Sequence, residues 1–148
     1  MRGKSVAILV IVNEKYMLLT KQFRVPAGKW MLEAPAGMID ESGNFIGVAA
    51  KELKEETSIS IDEAELTSLG SIFPSPGGCD EEILLYFVKK QLSDEVISEI
   101  TSHNHGEEHE WITVLLKNLT IKEVLQTKDV KLISAALAYI DLHPNSFQ

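Results

Sequence analysis

The sequence predicts one domain of mixed type, α/β or α+β, over residues 1–148, and three observations carry that prediction. The chain is long enough to bury a core of its own and too short for two ordinary domains. Short β-branched apolar runs such as Ser5–Val12 (SVAILVIV) have the length and composition of buried strands. Two longer stretches, Asn44–Ser58 and Asp129–Leu142, instead place apolar residues three and four apart, the spacing of a helix with one buried face.

Taken in order, Ser5–Val12 and Tyr16–Gln22 form a hairpin across Asn13-Glu14-Lys15. Val25–Lys29 contains Pro and Gly and reads as a loop, and Trp30–Glu33 as a short strand feeding a turn at Pro35-Ala36-Gly37. The main helix is expected to start at Asn44 or Phe45, with Asn44 as its N-cap, and to bury Ile46, Ala49 and Leu53. Ser58 falls near its end, where Gly is commoner. Two more strands, Leu66–Phe73 and Glu82–Lys89, bracket the loop Pro74-Ser75-Pro76-Gly77-Gly78. Ser93–Ile100 reads as a short helix, Thr101–His109 as a polar loop and Trp111–Leu116 as a strand. Thr120-x-x-Glu123 has the form of a capping box. The last helix, from about Asp129 to Leu142, is expected to bury Val130, Ile133, Leu137 and Ile140. There is no internal repeat, low-complexity segment or linker.

Composition narrows the function. A hydrophobic share of 45% with 24% charged residues is that of a soluble globular protein. No apolar run reaches the roughly 18 residues a membrane-spanning helix needs, so no membrane partner is expected. A net charge of −8 argues against a nucleic-acid partner, which requires a basic footprint. It does not exclude a small phosphorylated ligand, because bound divalent ions reverse the local field. The lone Cys79 permits no internal disulfide, which suits a reducing, cytoplasmic setting, and is expected to be a partly buried thiol without a catalytic role.

The chemistry concentrates on the main helix, where Glu52, Glu55 and Glu56 share a face. Three like charges there repel one another, and a hard cation such as Mg²⁺ would relieve the repulsion. A solvated amphipathic face is the competing explanation, but Lys51 stands N-terminal to Glu55, the weaker orientation for an ion pair. His103, His105 and His109 suggest zinc only superficially; with no Cys beside them, a solvated loop is the preferred reading.

The stretch from Gly37 to Ile59 resembles the signature of the Nudix hydrolases: Gly, five residues, Glu, seven residues, then Arg-Glu-apolar-x-Glu-Glu-x-Gly-apolar. The spacing is kept, and Glu52, Glu55 and Glu56 occupy its central positions. Gly43 stands where the first Glu belongs, Lys51 replaces the Arg, and Ser58 replaces the late Gly. Lys51 lacks the bidentate fork of an Arg, and Asp40 and Glu41 lie near enough to substitute for the carboxylate missing at 43. Beyond the box, Gln22-Phe23-Arg24, Leu32–Gly37 and the string from Pro74 to Glu82 are similar to the branch that hydrolyses ADP-ribose and nucleotide sugars.

The resemblance implies an α/β/α sandwich around a mixed sheet, and Mg²⁺ or alternatively Mn²⁺ held by Glu52, Glu56 and the Ala36 carbonyl, with Glu55 completing or orienting that shell. It implies Glu107, or alternatively Glu108, as the group that orients or deprotonates the attacking water. Arg24, Ser75, Gly77 and Glu81 would meet the substrate, a small nucleotide. A homodimer is also implied, although the extra N-terminal strand region that helps such enzymes dimerise is expected to be absent or not included in this sequence. The expected reaction is hydrolysis of a nucleoside diphosphate sugar or ADP-ribose to a nucleoside monophosphate and a sugar phosphate. The alternatives are hydrolysis of a dinucleotide or modified triphosphate, and a module that binds a nucleotide with little turnover.

Overall fold

In a computed structural model, which describes residues 3–39, 43–107 and 110–147, the chain folds as a mixed sheet between two helical layers. Asp40, Glu41, Glu108 and His109, weighed above, lie outside the described residues. Strands β1 (Lys4–Val12) and β2 (Tyr16–Arg24) pair antiparallel, Val12 opposite Tyr16. Asn13 and Glu14 both take positive φ, the backbone of the turn that matches strand twist. Strand β3 (Lys29–Glu33) continues antiparallel along β2, and β4 (Ala36–Met38) pairs antiparallel with the start of β1. Ala36 and Gly37, expected in a turn, are therefore strand residues. Their backbone is claimed by β1, and the break between β3 and β4 is confined to Ala34-Pro35, where the Ile8 N–H donates to the Pro35 carbonyl.

Helix α1 (Phe45–Thr57) is capped by Asn44, whose side chain accepts from the Gly47 N–H. After a short 3₁₀ turn at Glu63–Glu65 come β5 (Thr67–Ile72) and β6 (Glu82–Lys90), an antiparallel pair with an irregularity between Ser68 and Gly70. Helix α2 (Asp94–Thr101) is capped by Ser93, and β7 (Thr113–Asn118) lies antiparallel on β2. Two helices close the chain: α3 (Ile121–Thr127), capped by Thr120, and α4 (Val130–Leu142), capped by Asp129. The strand order is β3-β2-β1-β6-β5, with β4 on β1 and β7 on β2, and β1 runs parallel to β6.

The unbroken apolar run of β1 follows from its position. Val6, Ile8, Val10 and Val12 pack with Val48, Ala49 and Leu53 of α1, while Ala7, Leu9 and Ile11 pack with Leu132, Ala135 and Tyr139 of α4. A strand covered on both faces has no reason to alternate. The buried face of α1 matches the expected one at Ala49 and Leu53 but not at Ile46, whereas that of α4 is rotated from the expected one. Helix α1 turns in Val48, Ala49 and Leu53 and leaves Ile46 exposed. Helix α4 buries Leu132, Ala135, Ala136 and Tyr139, leaving Val130 and Leu137 in solvent and Ile133 and Ile140 half-buried. Being apolar almost all round, α4 carries several candidate stripes, and the sheet selects among them.

Candidate active site

Helix α1 carries its C-terminal turns across the end of β4, and this brings its carboxylates to the site. Glu56 is buried, and its Oε2 accepts the Ala36 N–H at 3.1 Å. Burial first, with the neighbouring Glu52 charge behind it, pushes the Glu56 carboxyl up to about 8. Glu52 is half-buried, and burial followed by the charge of Glu55 raises it to about 7. Its side chain crosses directly over Gly37: a Cβ there would stand 2.2 Å from Glu52 Cδ. Glycine is needed at 37 for room, not for an unusual backbone. Lys51 is a weak counter-charge, exposed and 3.9 Å from Glu55.

Positive charge enters from the sheet instead. Arg24, at the end of β2, grips Glu33 of β3 with both arms of its fork, Nε to Oε2 at 2.7 Å and a terminal nitrogen to Oε1 at 2.9 Å. Lys131 of α4 reaches the same carboxylate at 2.9 Å and Asp129 Oδ1 at 3.0 Å. Asp129 Oδ2 accepts the Ala34 N–H at 2.9 Å, so the cap of α4 also holds the chain leading to Ala36. Burial alone would raise the Glu33 carboxyl, but its bonds to Arg24 and Lys131 outweigh burial and hold it below the usual range. Burial alone would likewise lower the Lys131 amine, and Asp129 and Glu33 overcome it.

The loop before β7 closes the site. The His105 N–H donates to the Ile112 carbonyl at 2.7 Å, and the Gly106 N–H to the Glu55 carbonyl at 3.0 Å. Gly106 takes φ +77°, and a Cβ on it would meet Ile112 Cδ1 at 2.9 Å. Glu107 and Glu110 are tied to each other: the Glu107 N–H donates to Glu110 Oε1, and the Glu110 N–H to the Glu107 carbonyl, both at 2.9 Å. His105, expected in a solvated loop, is buried. Its Nε2 lies 2.7 Å from the Ile100 carbonyl and its Nδ1 3.1 Å from Ser58 Oγ.

A cleft of about 760 Å³ gathers Arg24, Glu52, Glu55, Glu56, Glu81 and Glu107 along one wall system, together with the backbone at Ala36. Ser75 and Gly77 are not among its lining residues. Ser75 turns its carbonyl to the Gly78 and Cys79 N–H groups, shaping the loop that leads to Glu81. Cys79 is exposed rather than partly buried, because that loop stands clear of the sheet. Glu33, Glu110, Lys131 and Asp129 are site residues that motif reading passes over. Only Asp129, at the start of a predicted helix, carried a usable signal.

The residues present fit a hard divalent cation. Every donor offered by Glu52, Glu56 and the Ala36 carbonyl is oxygen, and the raised Glu52 and Glu56 carboxyls mark negative charge that a cation would stabilise. Among the described residues, no three His, Cys, Asp or Glu side chains are already grouped as a cation site.

Comparison with known proteins bears on this geometry. Nudix hydrolase 14 of Arabidopsis thaliana, described as chloroplastic, is 39% identical over 130 residues; the match covers 78% of this chain and 42% of that protein. An ADP-ribose pyrophosphatase of Bacillus subtilis is 31% identical over 139 residues, covering 93% of this chain and 72% of its own length. A solved structure titled as an ADP compounds hydrolase superposes with a TM-score of 0.71 at 19% identity, over 95% of this chain and 72% of that one, and so supports the fold. This chain thus spans less than half the length of the Arabidopsis relative. The family profile described as NUDIX domain matches residues 1–133, a span that contains the glutamate helix, the Arg24 strand and the Glu107 loop, and the chain therefore belongs to the Nudix hydrolase family.

Proposed function

We propose that the protein is a Mg²⁺-dependent diphosphatase acting on ADP-ribose or a related nucleoside diphosphate sugar. The observation that carries this reading is one cleft walled by three helix carboxylates, an arginine and a loop glutamate. Its size suits a nucleotide with a second sugar, and the Bacillus relative named as an ADP-ribose pyrophosphatase supports the substrate class. Glu52, Glu56 and the Ala36 carbonyl would hold the metal, with Mn²⁺ as the alternative ion, and Glu55 would complete or orient that shell. When bound, the metal neutralises charge on the diphosphate oxygens and lowers the pKa of a coordinated water.

The chain's own groups do the rest. Arg24, fixed in direction by Glu33 and Lys131, offers planar donors to the diphosphate or terminal ribose. Glu107 accepts the proton of the attacking water. The water oxygen bonds to one phosphorus while the bridging P–O bond breaks and its electrons leave with the other phosphate. A nucleoside monophosphate and a sugar phosphate result. Glu81, in the lining of the cleft, meets the substrate, and the Ser75–Gly77 loop leads the chain to it. The working form is a homodimer in a reducing cytoplasm.

The test is a substrate panel with Mg²⁺ and product identification: ADP-ribose, ADP-glucose, UDP-glucose, diadenosine polyphosphates and nucleoside triphosphates. A nucleoside monophosphate and sugar phosphate from one of the first three supports the proposal. Turnover of triphosphates or dinucleotides alone replaces it with the alternative nucleotide reading. Thermal stabilisation by one compound without turnover replaces it with a binding module.

A further inference from the structure

The late position of the signature, where this chain has Ser58 in place of Gly, acquires a purpose in three dimensions. Ser58 ends α1 in the left-handed region, φ 65° and ψ 9°, a conformation that Gly adopts more cheaply than any L residue. Its hydroxyl lies 3.1 Å from Nδ1 of His105, which is buried. The Ile100 carbonyl, 2.7 Å from Nε2, can only accept, so Nε2 carries the ring hydrogen. In the neutral ring Nδ1 is then an acceptor, and Ser58 Oγ–H donates to it. Burial, the largest influence on this ring, favours the neutral form. One residue further on, the Gly106 N–H is bonded to the Glu55 carbonyl. Two bonds therefore tie the last turn of the glutamate helix to the segment that delivers Glu107.

We propose that Ser58 and His105 are positioning residues, a latch that holds Glu107 in register with the carboxylates of α1. The latch acts on catalysis through the placement of Glu107, and in that respect it rests on the role given to Glu107 above. Neither side chain touches the reacting atoms. The arrangement exchanges a little helix stability for a fixed loop, since Ser in the left-handed region is the poorer helix terminus and the better hydrogen-bond donor.

The experiment is Ser58→Gly, His105→Gln and the double variant, read by melting, steady-state kinetics and amide hydrogen exchange. Gln keeps an N–H donor for the Ile100 carbonyl, and its amide oxygen, on the same carbon as that nitrogen, lies away from the Nδ1 position that accepts from Ser58. Ser58→Gly is expected to melt at or above the wild-type temperature. Its kcat should fall about tenfold with little change in KM, a loss in keeping with the sensitivity of catalysis to small misplacements. Exchange at Gly106 should quicken, and the double variant should lose no more kcat than the worse single one. A merely structural Ser58 predicts the opposite split, with unchanged kcat and unchanged exchange at Gly106, and that outcome overturns the latch. Should the wild type hydrolyse no diphosphate at all, the functional reading fails, and the exchange data and their additivity still decide the latch.

Discussion

Gly37 shows how a single hydrogen atom sets the site. The side chain of Glu52 occupies the volume that a Cβ at 37 would take. Gly37→Ala is therefore expected to displace Glu52 and lower kcat/KM by about a hundredfold, the scale of a small displacement in a catalytic group. Far-ultraviolet circular dichroism and melting should show the fold retained, because the strain falls on a flexible side chain. Arg24→Lys tests the neighbouring residue. A lysine keeps the charge but cannot reproduce the two parallel bonds to Glu33. KM is expected to rise about tenfold, one lost hydrogen bond to a charged group, with kcat changing less.

At the scale of elements, the site depends on a joint between β3 and α4 that no sequence motif marks. Lys131 stands between Glu33 and Asp129, both buried. Lys131→Met leaves two carboxylates facing a neutral thioether, with Arg24 compensating only Glu33. A loss of about 3 kcal/mol is expected, the lower end for breaking a buried pair, measured as a shift of the denaturant midpoint. The sequence made the ordering of strands and helices legible because hairpin, caps and apolar runs are local signals. Asn44, Ser93 and Thr120 cap the helices they precede. The face of α1 was legible at Ala49 and Leu53 but not at Ile46, and that of α4 was not, since which apolar stripe is buried depends on the sheet beneath. The clustered glutamates of α1 stood out because their mutual repulsion is written along one helix. The Glu33–Lys131 bond joins residues 98 apart, and the buried His105 lies in a segment whose composition reads as solvated. Long-range pairing of this kind leaves no local pattern.

At the scale of the whole molecule, two sets of carboxyls push stability in opposite directions with pH. Glu33 is held below its ordinary 4.5, so its contribution is present above that value and lost as pH falls. Glu52 and Glu56 are raised to about 7 and about 8, so their contribution is present below 4.5 and lost as pH rises through those values. The metal-free protein should therefore melt highest in mildly acidic buffer. Added Mg²⁺ should raise the melting temperature most above pH 8, where both carboxylates are ionised and free to bind it. A melting temperature that Mg²⁺ leaves unmoved at every pH would contradict the donor set assigned here. Under the proposed function, the glutamate face of α1 supports hydrolysis of a diphosphate. The most direct test of this role is turnover of ADP-ribose with Mg²⁺ by the wild type and by Glu56→Gln, with both products identified. AMP and ribose 5-phosphate are expected from the wild type, and a kcat lower by about a hundredfold in Glu56→Gln. Equal turnover by the two proteins would contradict it.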